Sequence, residues 1–371
     1  MQEKSLSFSQ VVALVSAVGT KRTVLVRGEN GIGKTALFHA LRQRPEFVNH
    51  TASLIDCTQL SDGSVWMPDI DREAGVSREL PNVRFGVSKT NQKGVPGSRP
   101  SLIGLDEIMK VPQYIKNVLA PIYYEQRVGE HYLVEGSLVC CFTNLLAEGL
   151  GDLLPPNLRN RFIVVHMRKP SIDEWLKWAA ANGIAEFVRA YVKATDGTMH
   201  SFLDYEPGGT YAGRDLRKDN PRIFNPKDGA QEGYVSPRSL HTASDIIHAR
   251  STMDDETLQA ALVGALGPVG GAELSSFVRF ESDIPEYGRV IKDPMGTALC
   301  TNPTAQIVQV MQFASRPLNR DEAEAVVKYV RRMSATMQTM FTSEVTNSSK
   351  VAMFMTVREF VALMNDNKVY L

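Results

Sequence analysis

Residues 28–35 read Gly28-Glu29-Asn30-Gly31-Ile32-Gly33-Lys34-Thr35, a complete Gly-x-x-x-x-Gly-Lys-Thr segment. Few stretches of eight residues constrain a fold as tightly. Gly28, Gly31 and Gly33 let the backbone curl so that its N–H groups point inward and cradle phosphate oxygens. Lys34 is placed to reach the β and γ phosphates, and the Thr35 hydroxyl to ligate Mg²⁺. The flanks agree with this reading. Thr23-Val24-Leu25-Val26 is short, apolar and β-branched, which predicts a buried strand. Thr35 to Leu41 carries helically spaced apolar residues, so phosphate would sit at a helix N-terminus. The residues from Gly28 through Ala36 are therefore the expected nucleotide-binding segment; a chance glycine-rich turn is the weaker alternative.

A second apolar run, Ser101-Leu102-Ile103-Gly104-Leu105, ends in Asp106-Glu107. Open α/β sheets bind ligands at the C-terminal ends of their strands. There Asp106 would hold Mg²⁺, and Glu107 would polarise a water as general base. Alone, an Asp-Glu pair is more often a solvated turn; downstream of a phosphate loop the functional reading prevails. A third run, Ser137-Leu138-Val139-Cys140-Cys141-Phe142-Thr143-Asn144, ends in an amide. Asn144 either orients the same water or caps the next turn. In Leu154-Pro155-Pro156-Asn157-Leu158-Arg159-Asn160-Arg161-Phe162 a proline opens a short helix well. Arg159 and Arg161 point in different directions, so at most one reaches a nucleotide in a neighbouring subunit. The alternative for either is a surface arginine paired with a carboxylate.

With these motifs in order, the chain resembles the AAA+ ATPases, most closely the MoxR-like branch that includes the CbbQ and NorQ types and prophage members. The likeness rests on the phosphate loop and on Leu102-Ile103-Gly104-Leu105-Asp106-Glu107. It extends to Asn117–Val128, which looks like that family's Leu-rich helix ending in Glu-x-Arg, here Glu125-Gln126-Arg127. By similarity, Asn144 matches sensor 1 and Arg161 the trans-acting arginine finger, with Arg159 second. Arg238, in Val235-Ser236-Pro237-Arg238-Ser239, matches sensor 2. Asn160 stands where the family has Asp, and 195–234 is longer than its counterpart. The resemblance covers roughly residues 1–280 and implies ATP, Mg²⁺ and a homo-oligomeric, hexameric ring. It also implies a protein substrate, in relatives often one with a von Willebrand factor A domain. Local chemistry supports the sensor 2 placement, because Ser236 is a good N-cap and Pro237 a good first helical residue.

The expected fold class is α/β: a P-loop NTPase with a parallel sheet flanked by helices, an all-α lid and a C-terminal helical region. The expected boundaries are 1–168, 169–281 with an insertion at 195–234, and 282–371. Ser171 and Glu174 form a capping box at the lid's first helix. The insertion carries Pro207-Gly208-Gly209, Pro221 and Pro226, and its charged segment 214–219 reads as a solvated loop. Near the C-terminus, helices are expected over Ala323 to Phe341 and over Val351 to Leu363. Between the first motifs lies Ser64-Val65-Trp66-Met67-Pro68, where an exposed Trp66-Met67 would suit a ring's central channel and a buried Trp66 would suit a core.

Composition limits the functions. Lys plus Arg and Asp plus Glu both number 41, so no excess basic charge marks a long nucleic-acid groove. Cys57, Cys140, Cys141 and Cys300 lack zinc spacing, and Cys140 and Cys141, adjacent inside an apolar run, read as buried thiols; a reducing, cytoplasmic setting is expected. No run looks long enough to span a membrane. The leading expectation is a ring ATPase that remodels a protein partner. Its rivals are a phage or plasmid DNA-associated ATPase and a nucleotide-gated structural protein.

Overall fold

The computed structural model describes residues 4–145, 160–205 and 215–367. These fall into two compact units, divided between Lys169 and Pro170.

The first unit is built on a parallel sheet. Its elements run β1 (Ser5–Leu6), α1 (Phe8–Val18), β2 (Val24–Arg27), α2 (Lys34–Arg42), β3 (Thr51–Asp56), β4 (Trp66–Asp71), β5 (Val76–Pro81), β6 (Ser101–Asp106), α3 (Gln113–Glu125), β7 (Arg127–Val128), β8 (His131–Tyr132), β9 (Leu138–Thr143) and β10 (Ile163–Met167). Six strands pair in the order β1-β10-β2-β9-β6-β3, all parallel. The three apolar runs of the sequence are thus strands, with β2 bordered by β9 and β10.

Both faces are covered at the middle of this sheet, which is why β2, β6 and β9 are buried along nearly their whole length rather than alternating, whereas the edge strand β3 is mixed. Val24 and Val26 of β2 face a core with Val11 and Val15 of α1 and Leu37, Phe38 and Leu41 of α2. Leu25, between them, faces a second core with Ile115 and Leu119 of α3. Cys140 and Cys141 divide in the same way, one into each core. Burial pushes both thiols up, and all four cysteines are free. Gly104 in β6 allows α2 to lie close: a Cβ there would meet Phe38 Cδ2 and Leu54 Cδ1, each at 2.8 Å.

Two antiparallel hairpins stand apart from the main sheet, β4–β5 and β7–β8. In the first, Trp66 packs against the α3-side core while Met67 is exposed. The Trp66-Met67 pair is therefore split, Trp66 half-buried against the core and Met67 at the surface.

The second unit is helical: α4 (Ile172–Ala181), α5 (Glu186–Ala194), α6 (Pro237–His248), α7 (Asp255–Arg279), α8 (Tyr287–Lys292), α9 (Pro303–Ser315), α10 (Arg320–Val330), α11 (Ala335–Asn347), α12 (Val351–Phe354) and α13 (Arg358–Asn367). The expected capping box is present, with Glu174 N–H donating to Ser171 Oγ and Ser171 N–H to the Glu174 carboxylate. One apolar core joins α4 to α7, and another joins α10 to α13.

Several sequence expectations need correction here. The stripe from Ala323 to Phe341 is two helices, because Ser334 N-caps α11 and breaks the run. The stripe from Val351 to Leu363 is likewise divided between α12 and α13. The expectation that no segment is long enough to cross a membrane also fails: Asp255–Asp283 passes on length and composition. Its apolar residues Leu258, Leu262, Leu266, Leu274 and Phe277 are buried in the unit's own core, as in a core helix of a folded domain. That helix kinks at Gly267, with φ 78°, just before Pro268. Only glycine serves there, since a Cβ would lie 2.4 Å from the Gly233 carbonyl oxygen. Leu154, Pro155, Pro156, Asn157 and Leu158 and the segment Pro207-Gly208-Gly209 lie outside the described residues.

Candidate nucleotide site

The glycine loop joins β2 to α2, as its residue types require. Gly33 is the N-cap of α2 with φ 101°, and Gly31 has φ 77°, both in the left-handed region that favours glycine. At Gly28 a side chain would collide with Ile32 Cδ1 at 2.5 Å. Lys34, the first residue of α2, is buried, and its Nζ donates to the Gly28 carbonyl at 2.8 Å and the Glu29 carbonyl at 2.7 Å. The ammonium thus lies inside the curl of its own loop. Ile32 is buried, Asn30 and Thr35 are half-buried, and Ala36 is exposed in the first helical turn.

Sheet order brings the acidic pair to this loop. Thr35 Oγ1 donates to Asp106 Oδ2 at 2.9 Å, a contact between residues 71 positions apart. The other Asp106 oxygen accepts the Glu107 N–H at 3.0 Å. Glu107 has φ 53°, a left-handed conformation rare for a residue with a side chain. Asn144, just past β9 and buried, donates Nδ2–H to Glu107 Oε1 at 3.1 Å. The Lys110 ammonium reaches the same oxygen at 2.9 Å. Glu107 Oε2 is buried and has no hydrogen-bond partner among the described residues; Asn144 Oδ1 and Thr143 Oγ1 share that condition.

These donors fit Mg²⁺. Among the described residues no three His, Cys, Asp or Glu side chains cluster as a metal cage. Mg²⁺ does not need one, since it usually takes one or two protein oxygens and completes its shell with water and phosphate. The Thr35 hydroxyl and Asp106 carboxylate are hard oxygens already within hydrogen-bonding distance of each other.

The remaining predicted residues distribute as follows. Arg161 is exposed, its guanidinium 3.9 Å from the centroid of the Tyr124 ring. It makes a cation–π contact within its own chain rather than the carboxylate pair considered as its alternative. Arg159 lies outside the described residues. Arg238 belongs to the helical unit, in the first turn of α6, where Ser236 caps and Pro237 opens the helix as expected. Glu29 is more than a spacer, because its carboxylate pairs with Lys169 Nζ at 3.4 Å and both side chains are buried.

Sequence reasoning missed Lys110, Thr143 and Lys169. Lys110 follows Glu107 by three residues, and its visible signal was a cation near the acidic pair. Lys169 carried no signal at all, since its partnership depends on β10 ending beside the glycine loop. Asp56 is a further carboxylate at this edge, in register with Asp106 across β3 and β6. It caps the turn after β3 by accepting from Thr58 N–H at 2.9 Å. Cys57 lies close by, and burial, reinforced by Asp106, Asp56 and Glu107, pushes its thiol up.

No protein-family model and no curated protein sequence matches the chain. Solved structures do resemble it distantly. A protein from Cytophaga hutchinsonii described as an ATPase matches with 16% identity over 47% of this chain and 50% of its own, TM-score 0.33. This match therefore spans about half the length of that protein. NtrX from Brucella abortus in complex with ADP matches with 13% identity over 98% of this chain and 67% of its own, TM-score 0.38. A RuvB mutant from Thermotoga maritima matches with 15% identity over 80% of each chain, TM-score 0.34. With TM-scores below 0.5 these likenesses carry no argument about function. The fold class itself is as expected: a parallel sheet flanked by helices around a phosphate-loop segment, followed by a helical region.

Proposed function

We propose that this chain binds and hydrolyses ATP at the Gly28–Thr35 loop, with Mg²⁺ held by Thr35 and Asp106 and water activated by Glu107. The observation that carries this reading is the convergence of three separate strand ends. Thr35 meets Asp106 at 2.9 Å, and Asn144 meets Glu107 at 3.1 Å. A solvated acidic turn has no reason to make either contact.

In this reading Lys34 leaves its loop carbonyls for phosphate oxygens, a stronger charge-assisted contact. When bound, Mg²⁺ supplies neutralising charge to the phosphate oxygens. Glu107 accepts the proton of the attacking water on Oε2, the oxygen without a partner, while Asn144 fixes Oε1. The water oxygen bonds to the γ phosphorus and the bond from that phosphorus to the β–γ bridging oxygen breaks, giving ADP and phosphate. Nucleotide binding and turnover measured on two variants test this. Lys34→Ala should lose nucleotide binding, whereas Glu107→Gln should bind ATP and lose turnover. Wild-type affinity in the first, or wild-type turnover in the second, would overturn the assignment.

The motif resemblance supports a finer reading: a homo-oligomeric ring whose hydrolysis remodels a protein partner, with Arg161 acting in trans and Arg238 sensing the γ phosphate. The equal numbers of basic and acidic residues favour a protein over a DNA substrate. The Glu107→Gln variant is the tool for both questions. It should stay assembled in ATP and retain its protein client, and DNA-stimulated turnover in the wild type would favour the rival reading instead.

A further inference from the structure

Glu107 Oε1 is shared by two donors from different places. Asn144 Nδ2 approaches at 3.1 Å from the end of β9, and Lys110 Nζ at 2.9 Å from the turn that follows β6. That turn is closed, with Lys110 N–H donating to the Glu107 carbonyl at 2.9 Å and Ile108 N–H to the Phe142 carbonyl at 3.2 Å. Ile108 and Met109, between the two charged residues, are buried in the α3-side core. The lysine is thus delivered to the carboxylate by an anchored backbone, not by a loose side chain sweeping the surface.

The consequence is a carboxylate pinned at one oxygen. With two donors on Oε1, rotation about the terminal torsion of Glu107 would break both contacts. The left-handed backbone at φ 53° restricts the residue further. Oε2, buried and without a partner among the described residues, is then the oxygen that faces a reacting water. We propose that Lys110 is a positioning residue for Glu107, working with Asn144 to present Oε2 as the proton acceptor. This deepens the hydrolytic reading of the site and rests on it.

A merely structural role predicts something different. The Lys110 and Glu107 side chains are 28% and 22% exposed, and an ion pair at such a place is worth only ~0–1 kcal/mol of stability. Loss of alignment at a reacting group costs about 10²-fold in rate. Steady-state ATP hydrolysis and nucleotide affinity should therefore be measured for Lys110→Met, Lys110→Arg, Glu107→Gln and the Glu107→Gln, Lys110→Met double variant. The expected result is a fall in kcat for Lys110→Met of about 10-fold or more with KM and melting temperature unchanged. Lys110→Arg should recover most of that loss. In the Glu107→Gln background Lys110→Met should cause no further fall, because the lysine acts only through the carboxylate. Wild-type or faster turnover in Lys110→Met overturns the proposal, as does an equal additional loss in the double variant. Wild-type turnover in Glu107→Gln alone would instead bring down the hydrolytic reading beneath it.

Discussion

Asn144 donates its side-chain amide to Oε1 of Glu107 across two neighbouring strand ends, at 3.1 Å. Because β9 lies between β2 and β6, this contact places the amide between the glycine-loop strand and the acidic strand. Its carbonyl oxygen, Asn144 Oδ1, is buried with no partner among the described residues. An amide that caps a turn does so by accepting a nearby backbone N–H on its oxygen; the Nδ2 donor given to a residue 37 positions away is a contact that capping does not require.

Removing that amide should therefore act on catalysis more than on binding. Asn144→Ala should lower kcat by about 10²-fold while ATP affinity stays within a few-fold of wild type. Single-turnover hydrolysis alongside a nucleotide titration makes the comparison. A parallel loss of both would mean that Asn144 shapes the loop rather than the water.

Arg161 offers a test of assembly. Its cation–π contact with Tyr124 is exposed, and such contacts are worth only ~0.5–1 kcal/mol, so the guanidinium is cheaply released to a triphosphate. Trans-acting arginines supply about 10³–10⁵-fold in rate. Arg161→Ala should fold and bind ATP but hydrolyse it slower by a factor in that range. Mixing it with Lys34→Ala subunits should restore part of the activity, since one variant keeps the loop and the other keeps the finger. Full turnover by an ATP-bound monomer would remove the trans-acting site.

Gly104 tests the packing that holds the loop helix. A Cβ at this position would approach Phe38 and Leu54 at 2.8 Å, inside the closely packed layer between α2 and the sheet. Overpacking of this kind costs about 1–3 kcal/mol. Gly104→Ala should lower the denaturation midpoint accordingly, and equilibrium unfolding in urea would report it. A midpoint equal to wild type would show that α2 shifts outward without penalty.

What the sequence made legible was whatever depends on local pattern. The strands at Val24, Leu102 and Leu138, the glycine loop and the caps at Ser171 and Ser236 all follow from neighbours in the chain. Register-dependent contacts were not legible. Lys110 binding the oxygen that Asn144 binds, and Lys169 reaching Glu29, require knowing which strand ends lie together. Helix breaks were also hidden, because apolar spacing continues through Met333 although Ser334 restarts the helix. The length of the apolar span Asp255–Asp283 was hidden as well, because Gly267 and Pro268 interrupt it in sequence, while its leucines serve a core.

Arg189 and Glu344 form a buried ion pair between α5 and α11 in the helical unit. The pair is reinforced by Arg189 Nε–H donating to the Ile184 carbonyl at 3.1 Å. Burial raises the Glu344 carboxyl above its ordinary 4.5, against the opposing pull of Arg189 and Lys193. Arg189→Met removes the stronger of these opposing charges, so the carboxyl rises further. Leaving one member of a buried pair typically costs about 3–5 kcal/mol. The sign of the pH dependence follows from proton counting. Well below 4.5 Glu344 is protonated in both the folded and unfolded chain, so it contributes no pH dependence there, while the Arg189 guanidinium stays charged. As pH rises above that value the unfolded chain releases its proton first, so the folded state loses stability until Glu344 itself ionises. In Arg189→Met this loss continues to higher pH than in wild type. The destabilisation of Arg189→Met relative to wild type should therefore grow as pH rises from 4.5 toward neutrality, as read from urea midpoints across that range. A destabilisation that stays constant with pH would mean that Arg189 contributes packing alone.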